Sequence, residues 1–435
     1  MLVSNLKLRD MIYLKNSKLI FWMLLLFSVF IFIFCAERKR LNPLDPQNKE
    51  TEGKPQGLRV YSELNQVFLS WKPVDVKNIL GYRVYRKAAF EDDFQPIYVT
   101  PQDSSEYVDK NVQYEIRYTY RITVLGEDFE SNPSDTVSII PGPTSIWFTD
   151  LYGRNLIRLT HDCRHEIERI PVDGYPWALA IEKSYQQLWY TDVLFNRVLR
   201  VNLNTRQQFI VTNLNYSDPV DVEIDHQHGR VWVADEDSGK VIVFRDDGLK
   251  LSEIAGFQRI SDIDICDTDG YCWVVDSRTK KVTQIRSDYR IGIDLKDLES
   301  PTRIAIDQTT CELWVIDKGS IKKLNRLGKK ILTINSGFNY PWNLAVDAET
   351  GNCWVLDWGD QSSNSRLICF ASDGSRLVEV AGFSYPETII INPYDHGCIV
   401  ADSGSGKIIK ISETGIILSQ STEYFYPYGL AIIYR

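Results

Sequence analysis

Histidine is scarce in this chain: His161, His165, His226, His228 and His396 are the five in 435 residues. So thin a set makes a poor catalytic or zinc-ligating group, and no cofactor, metal or catalytic residue is assigned from it. Cationic excess is missing as well, since 49 Lys and Arg face 58 Asp and Glu for a net charge of −9. That balance excludes nucleic acid as a partner, because phosphate binding needs clustered Lys and Arg that release counterions. Cysteine is too sparse and too uneven for a disulfide framework: beyond Cys35 an odd number remains. Cys266 and Cys272 flank a short turn and can face each other across a hairpin, but buried free thiols are the commoner outcome. Long apolar runs are absent except for one, residues 19–34. Ordinary shares of apolar (44%) and charged (25%) residues exclude general disorder, while 12% aromatics with 11 Trp suggest β-rich packing.

The apolar run follows Lys7, Arg9, Lys15 and Lys18 and reads as an export signal. It ends at Cys35, then Ala36 and a polar stretch, and so resembles a bacterial lipoprotein signal, which implies lipid attachment at Cys35. An uncleaved signal anchor at the short end of spanning length is the alternative. Either way residues 1–35 tether the protein through its N-terminus, which places it in the cell envelope with its domains outside the cytoplasm. Residues 36–52 hold Pro43, Pro46, Asn42 and Asn48 with mixed charges and no apolar period, the pattern of a flexible stalk.

Residues 53–142 alternate apolar and polar positions in about seven short segments, among them Val67-Phe-Leu-Ser-Trp71 and Gly81-Tyr-Arg-Val-Tyr-Arg86. With Tyr118 approaching the sixth segment, the stretch resembles a fibronectin type III domain. The resemblance implies a β-sandwich with Trp71 at its centre and Tyr118 making a corner hydrogen bond. There is no Arg-Gly-Asp, and the expected role is a spacer arm.

From residue 143 onward one phrase recurs, an apolar strand ending in Asp: Trp147-Phe-Thr-Asp150, Trp189-Tyr-Thr-Asp192, Trp232-Val-Ala-Asp235, Trp273-Val-Val-Asp276, Trp314-Val-Ile-Asp317, Trp354-Val-Leu-Asp357 and Ile399-Val-Ala-Asp402. The Asp residues stand 42, 43, 41, 41, 40 and 45 apart. A period near 40 with alternating apolar positions is that of a β-propeller with four strands per blade. Counting gives seven blades over 143–435, the C-terminal strand at 429–433 completing the first blade and closing the ring. The fold class expected is therefore all-β, a sandwich plus a seven-bladed propeller behind an N-terminal apolar helix. Tyr-Pro-Trp-Ala-Leu-Ala and Gly-Lys-Val-Ile-Val-Phe resemble NHL-repeat propellers, and Trp147-Phe-Thr-Asp150 is similar to the virginiamycin B lyase type. Those families include enzymes with a divalent metal over the channel, but no ligand set maps onto this chain.

One Asp per repeat at constant phase points to a repeated turn role, and the repeated Trp to the core. The loops leading into each inner strand are more distinctive: Tyr175-Pro-Trp177, Tyr340-Pro-Trp342, Tyr385-Pro386 and Tyr426-Pro-Tyr428. They converge on the channel mouth, joined by Phe195 and Trp358. Tyr175, Trp177, Tyr340, Trp342, Tyr385, Tyr426 and Tyr428 are the expected ligand-binding residues, suited to a sugar face or a peptide loop. Trp177 and Trp342 can instead extend the interblade core, since they alternate in phase with Leu179 and Leu344. The functional expectation is a tethered binding or scaffold protein recognising a protein or carbohydrate. The alternatives are a metal-assisted lyase or hydrolase and a structural subunit of the cell envelope.

Overall fold

Apolar residues at every second position, in runs of three to ten, give strands with one or both faces covered. The computed structural model describes residues 41–182, 184, 186–214, 218–295, 298–335, 337–359 and 365–434. The export run, the apolar helix expected of it and Cys35 lie outside these. Among the described residues the regular elements are strands, and no helix is long and apolar enough to cross a membrane.

The first unit has two antiparallel sheets. One joins Arg59–Glu63, Gln66–Ser70 and Glu106–Asp109; the other runs in the order Gln95–Pro101, Ile79–Ala88, Tyr118–Gly126, Val137–Ile139. Val60, Val67 and Leu69 of the first sheet share a core with Tyr82, Val84, Tyr120 and Ile122 of the second. Trp71 sits in that core with its ring 5.3 Å from Tyr82. The Tyr118 hydroxyl accepts the Gln113 N–H at 3.1 Å and ties a loop to its strand.

Residues 41–52, expected as flexible stalk, instead form successive turns laid against this unit. Leu44 packs on the core, Asn48 donates to the Asn42 carbonyl at 3.1 Å, and Thr51 Oγ1 donates to Pro43 O at 2.6 Å. The asparagines that read as loop formers satisfy local backbone groups here.

The rest of the described chain forms seven four-stranded antiparallel sheets. Six are consecutive; their inner strands are Pro176–Ile181, Pro219–Asp225, Ile260–Cys266, Pro301–Asp307, Pro341–Val346 and Pro386–Ile391. The first sheet is completed from the other end of the chain: Pro427–Tyr434 pairs with Thr144–Asp150, in the register Leu430↔Phe148 and Ala431↔Trp147. Each inner strand touches the next, and Pro427–Tyr434 touches both Pro386–Ile391 and Pro176–Ile181, so the ring closes. At that closure a Cβ on Gly429 would stand 2.4 Å from the Trp177 carbonyl oxygen, a contact only glycine avoids.

The repeated tryptophans fill the spaces between sheets, none more than 2% exposed. Cys266 is disulfide-bonded to Cys311 of the next sheet, and Cys272 is free and buried. Strand register explains why Cys266 and Cys272 do not meet. Cys266 stands opposite Tyr271, and Cys272 opposite Ile265, so the two thiols leave opposite faces of the hairpin.

The two units are in contact. His165 Nε2 lies 2.7 Å from Ser138 O, Asp162 accepts the Ile140 N–H at 3.1 Å, and Arg158 pairs with Glu63 at 3.1 Å. His161, almost fully buried, lies between Thr144 Oγ1 and Glu115 Oε1 (2.7 Å) and also 2.7 Å from Lys410 Nζ. The segment His161 to His165 is thus a socket for the first unit, which is seated on the ring at this joint.

Candidate functional site

Five of the repeated Asp residues do more than shape their own turns: Asp192, Asp276, Asp317, Asp357 and Asp402 reach back 17 or 18 residues and fasten the loop leading into their sheet's inner strand, and Asp150 does the same across the ring closure. Asp192 accepts the N–H groups of Tyr175, Leu194 and Phe195 at 3.0, 3.0 and 3.3 Å. Asp276 holds Gln258 and Arg259, Asp317 holds Ser300, Asp402 holds Ser384, and Asp150 holds Tyr426 across the closure. Asp357 takes Asn339 N and, at 2.6 Å, Tyr340 N, and it is bridged by Arg366 at 3.0 Å. A buried carboxylate that satisfies several amide donors gives each loop one conformation, which is how the ring presents its aromatic side chains.

Those side chains fall into two groups. Tyr340, Trp342 and Trp358 lie within 19° of parallel, Trp342 and Trp358 at 3.9 Å between ring centres, with Tyr385 edge-on to Trp358 at 5.9 Å. Tyr340 is 53% and Tyr385 46% exposed. The Trp358 indole donates to Pro386 O at 2.7 Å and fixes the stack to the next sheet. In the second group Tyr152 stands edge-on to Tyr175 at 5.7 Å and to Tyr426 at 5.2 Å, and Trp177 meets Tyr428 at 3.9 Å.

A cavity of about 720 Å³ opens on this face. Trp177, Tyr340 and Trp342 line it together with Ser261, Ser277, Ser300, Thr302, Arg259 and Lys318. The structure therefore brings three of the seven expected residues to one cavity. Tyr385, Tyr175 and Tyr426 border it on the same face without lining it. Tyr428 is buried and faces the channel below, in a second cavity of about 700 Å³. Trp177 and Trp342 are half-buried, so each also packs on its neighbour, as their alternation with Leu179 and Leu344 requires. Phe425, 79% exposed, and Tyr152 extend the aromatic surface and were not singled out in the sequence. Their signal was their position, one residue before a noted tyrosine and two after a repeated Asp.

The acidic residues do not all belong to turns: Asp221 and Glu223 of one inner strand, and Asp262 and Asp264 of the next, line the channel. Three of them hold the ring together, since Asp221 accepts Ile263 N at 3.1 Å, Asp262 accepts Ile304 N at 2.7 Å and Asp264 accepts Ile306 N at 2.7 Å. Every inner strand has one edge with no further strand to pair with, and these carboxylates satisfy its N–H groups from the neighbouring sheet. Burial, reinforced by the other channel carboxylates, pushes Asp264 up to about 7 and Glu223 well above the usual range. Glu387, buried beneath the aromatic stack, accepts Tyr426 OH at 2.8 Å and is likewise raised by burial.

Among the described residues the one set of three His, Cys, Asp or Glu ligand atoms lying within 4.8 Å of each other is Cys266, Asp269 and Cys311, and two of these form the disulfide. The channel carboxylates do not converge in this way. His226 and His396 line the lower cavity, with His396 3.2 Å from Asp347.

No known protein family matches the sequence, and no curated protein matches it. Solved structures do match. A functionally unknown protein from Desulfotomaculum acetoxidans superposes with a TM-score of 0.56 at 13% identity, over 67% of this chain and 99% of that one. The periplasmic gluconolactonase of Pseudomonas aeruginosa gives 0.54 at 14%, over 67% and 99%. Virginiamycin B lyase from Staphylococcus aureus gives 0.50 at 14%, over 66% and 92%. The ring is a β-propeller. At such identities the likeness shows the fold alone, because propellers of one architecture serve unrelated chemistries. The function of this propeller has to be argued from its own face.

Proposed function

We propose that this chain is a membrane-tethered, extracytoplasmic recognition protein whose propeller mouth binds a carbohydrate. The observation that carries the reading is the near-parallel stack of Tyr340, Trp342 and Trp358 beside a cavity of about 720 Å³ walled by hydroxyl side chains. Aromatic faces stack on the apolar face of a sugar ring, and serine and threonine hydroxyls meet its rim. The cavity is of the size that holds a small ligand. The repeats are read as NHL-type and the first unit as a fibronectin type III spacer, on the strength of its three- and four-stranded sheets and the Tyr118 corner bond. Cys35 remains the proposed lipid site. A disulfide between Cys266 and Cys311 is in keeping with an oxidising compartment.

The test is titration of the full chain with a panel of oligosaccharides, followed by tryptophan fluorescence. Saturable quenching, lost in Trp342→Ala, is expected; an unchanged spectrum across the panel, with capture of a protein loop instead, would overturn it.

A second reading, a lyase or hydrolase, is favoured by the raised carboxyls of Glu223 and Asp264, of which Asp264, at about 7, is placed to exchange a proton near neutrality. It is the weaker one. Asp221, Asp262 and Asp264 are already occupied by backbone N–H groups of the next blade, which leaves Glu223 without a partner residue to form an acid and base pair.

A further inference from the structure

Between the mouth cavity and the lower cavity stands Arg303, which lines both. It projects from the inner strand Pro301–Asp307, and its guanidinium lies over the Trp342 ring, 5.4 Å from the centroid. One amino group, Nη1, donates to the Ser261 carbonyl, and the same atom is 3.8 Å from Asp262. Among the described residues no protein acceptor is found for Nε or Nη2, which leaves two parallel N–H donors on the Nε/Nη2 edge of the guanidinium and one more on Nη2. Asp262 does not take them up: its nearer oxygen stands 3.8 Å from Nη1, and its other oxygen accepts the Ile304 N–H at 2.7 Å.

Above Arg303, the charged side chains of the mouth cavity are Arg259 and Lys318 against Glu236. Arg259 and Lys318 are well exposed and paired with Glu236 and Glu299 at the rim, where an incoming anion can replace or share either pair at little cost. Ser300 and Thr302 line the same cavity. Below Arg303 the lower cavity is lined by Asp221, Glu223, Asp262 and Asp264, carboxyl groups that burial raises and that supply no further cation. A negatively charged ligand is therefore drawn in from the mouth and stopped at the guanidinium.

Resting on the carbohydrate reading above, we propose that the ligand is an acidic oligosaccharide, with a sugar carboxylate on the free edge of Arg303 and the neighbouring ring against the exposed Tyr340. A guanidinium edge and a carboxylate match in plane and spacing, and such charge-assisted pairs are about twice as strong as neutral hydrogen bonds. A neutral sugar would have to displace water from those donors without replacing the charge.

The experiment is calorimetric titration of the full chain with trigalacturonate and with galactotriose, its neutral counterpart. Trigalacturonate should bind at least about tenfold more tightly, and its affinity should fall as salt rises from about 50 to about 500 mM. Arg303→Gln should bring its affinity down to that of the neutral trisaccharide. Because Arg303 is buried, the exposed pair Arg259→Gln and Lys318→Gln serves as an independent check and should remove most of the salt dependence. If both trisaccharides bind equally and without salt dependence, the acidic specificity is wrong and the carbohydrate reading stands. If neither binds, both fall together.

Discussion

Replacing Asp357 by Ala tests the claim that the repeated Asp builds the recognition face. The carboxylate is fully buried and accepts the N–H groups of Asn339 and Tyr340 while bridging Arg366 at 3.0 Å. Its loss orphans the Asn339 and Tyr340 donors, at about 1 to 3 kcal/mol each before water fills part of the gap, and a third, long bond from Gly359 N at 3.4 Å adds little. Arg366 keeps Glu379 at 3.3 Å and the Gly337 carbonyl, so its own loss is smaller than for a fully stranded charge. The total comes to about 3 to 5 kcal/mol. Urea unfolding followed by tryptophan fluorescence would show it as a lower midpoint at constant slope. Asp357→Asn, which keeps one acceptor, should fall between variant and wild type. Because Tyr340 loses its tether, ligand affinity in Asp357→Ala should drop even at temperatures where the protein is folded. A cost below about 1 kcal/mol with affinity intact would refute the reasoning.

Gly142 faces the joint between the units: a Cβ there would lie 2.2 Å from the His161 ring, so Gly142→Ala should expel His161 and free the first unit. Small-angle scattering should report a larger radius of gyration; an unchanged profile would show that the remaining contacts suffice. Glu115 is held below the usual carboxylate range: burial alone would raise it, but the His161 hydrogen bond and the charges of His161 and Lys410 outweigh that. A lowered folded-state value means stability that is present at neutral pH and lost as pH falls through that value, so the joint should loosen in acid and the same scattering measured down a pH series should show expansion. Asp264 works in the opposite sense. Raised to about 7 from an unfolded value of about 3.9, it binds its proton more tightly when folded, so stability falls as pH rises between those values. Relative to Asp264→Asn, wild type should lose up to about 1.4 kcal/mol per pH unit there in urea titrations; a flat difference would contradict the assignment.

The blades were legible because each residue of the repeated phrase has the same neighbours seven times over. The hairpin 271–285 lies where alternation puts it, and the C-terminal strand closes the first blade as its spare apolar pattern demands. The loop tyrosines were legible because a proline opens the strand and leaves the preceding residue outside. What local pattern does not carry is what faces what. Asp221-Val-Glu223 and Asp262-Ile-Asp264 have the alternation of any half-exposed strand, and only ring closure turns that polar row into a channel wall. Nor does anything near His161 announce that its acceptor is Glu115, 46 residues earlier in another unit. The Cys266–Cys311 bridge was closer to view, since its separation of 45 residues is about one repeat and places the thiols on adjacent blades.

The most direct measurement of the central claim is the double variant Tyr340→Ala and Tyr385→Ala, titrated beside wild type with the saccharide that binds best and melted under the same conditions. Both side chains are about half exposed and carry little of the core. Affinity should therefore fall by about tenfold or more, since aromatic anchors each contribute on the order of 1 kcal/mol or above, while the melting temperature stays within about 2 °C. Unchanged affinity, or a loss matched by a fall in melting temperature, would show that these tyrosines belong to the packing of the blades and that the mouth of the propeller is not where this protein meets its ligand.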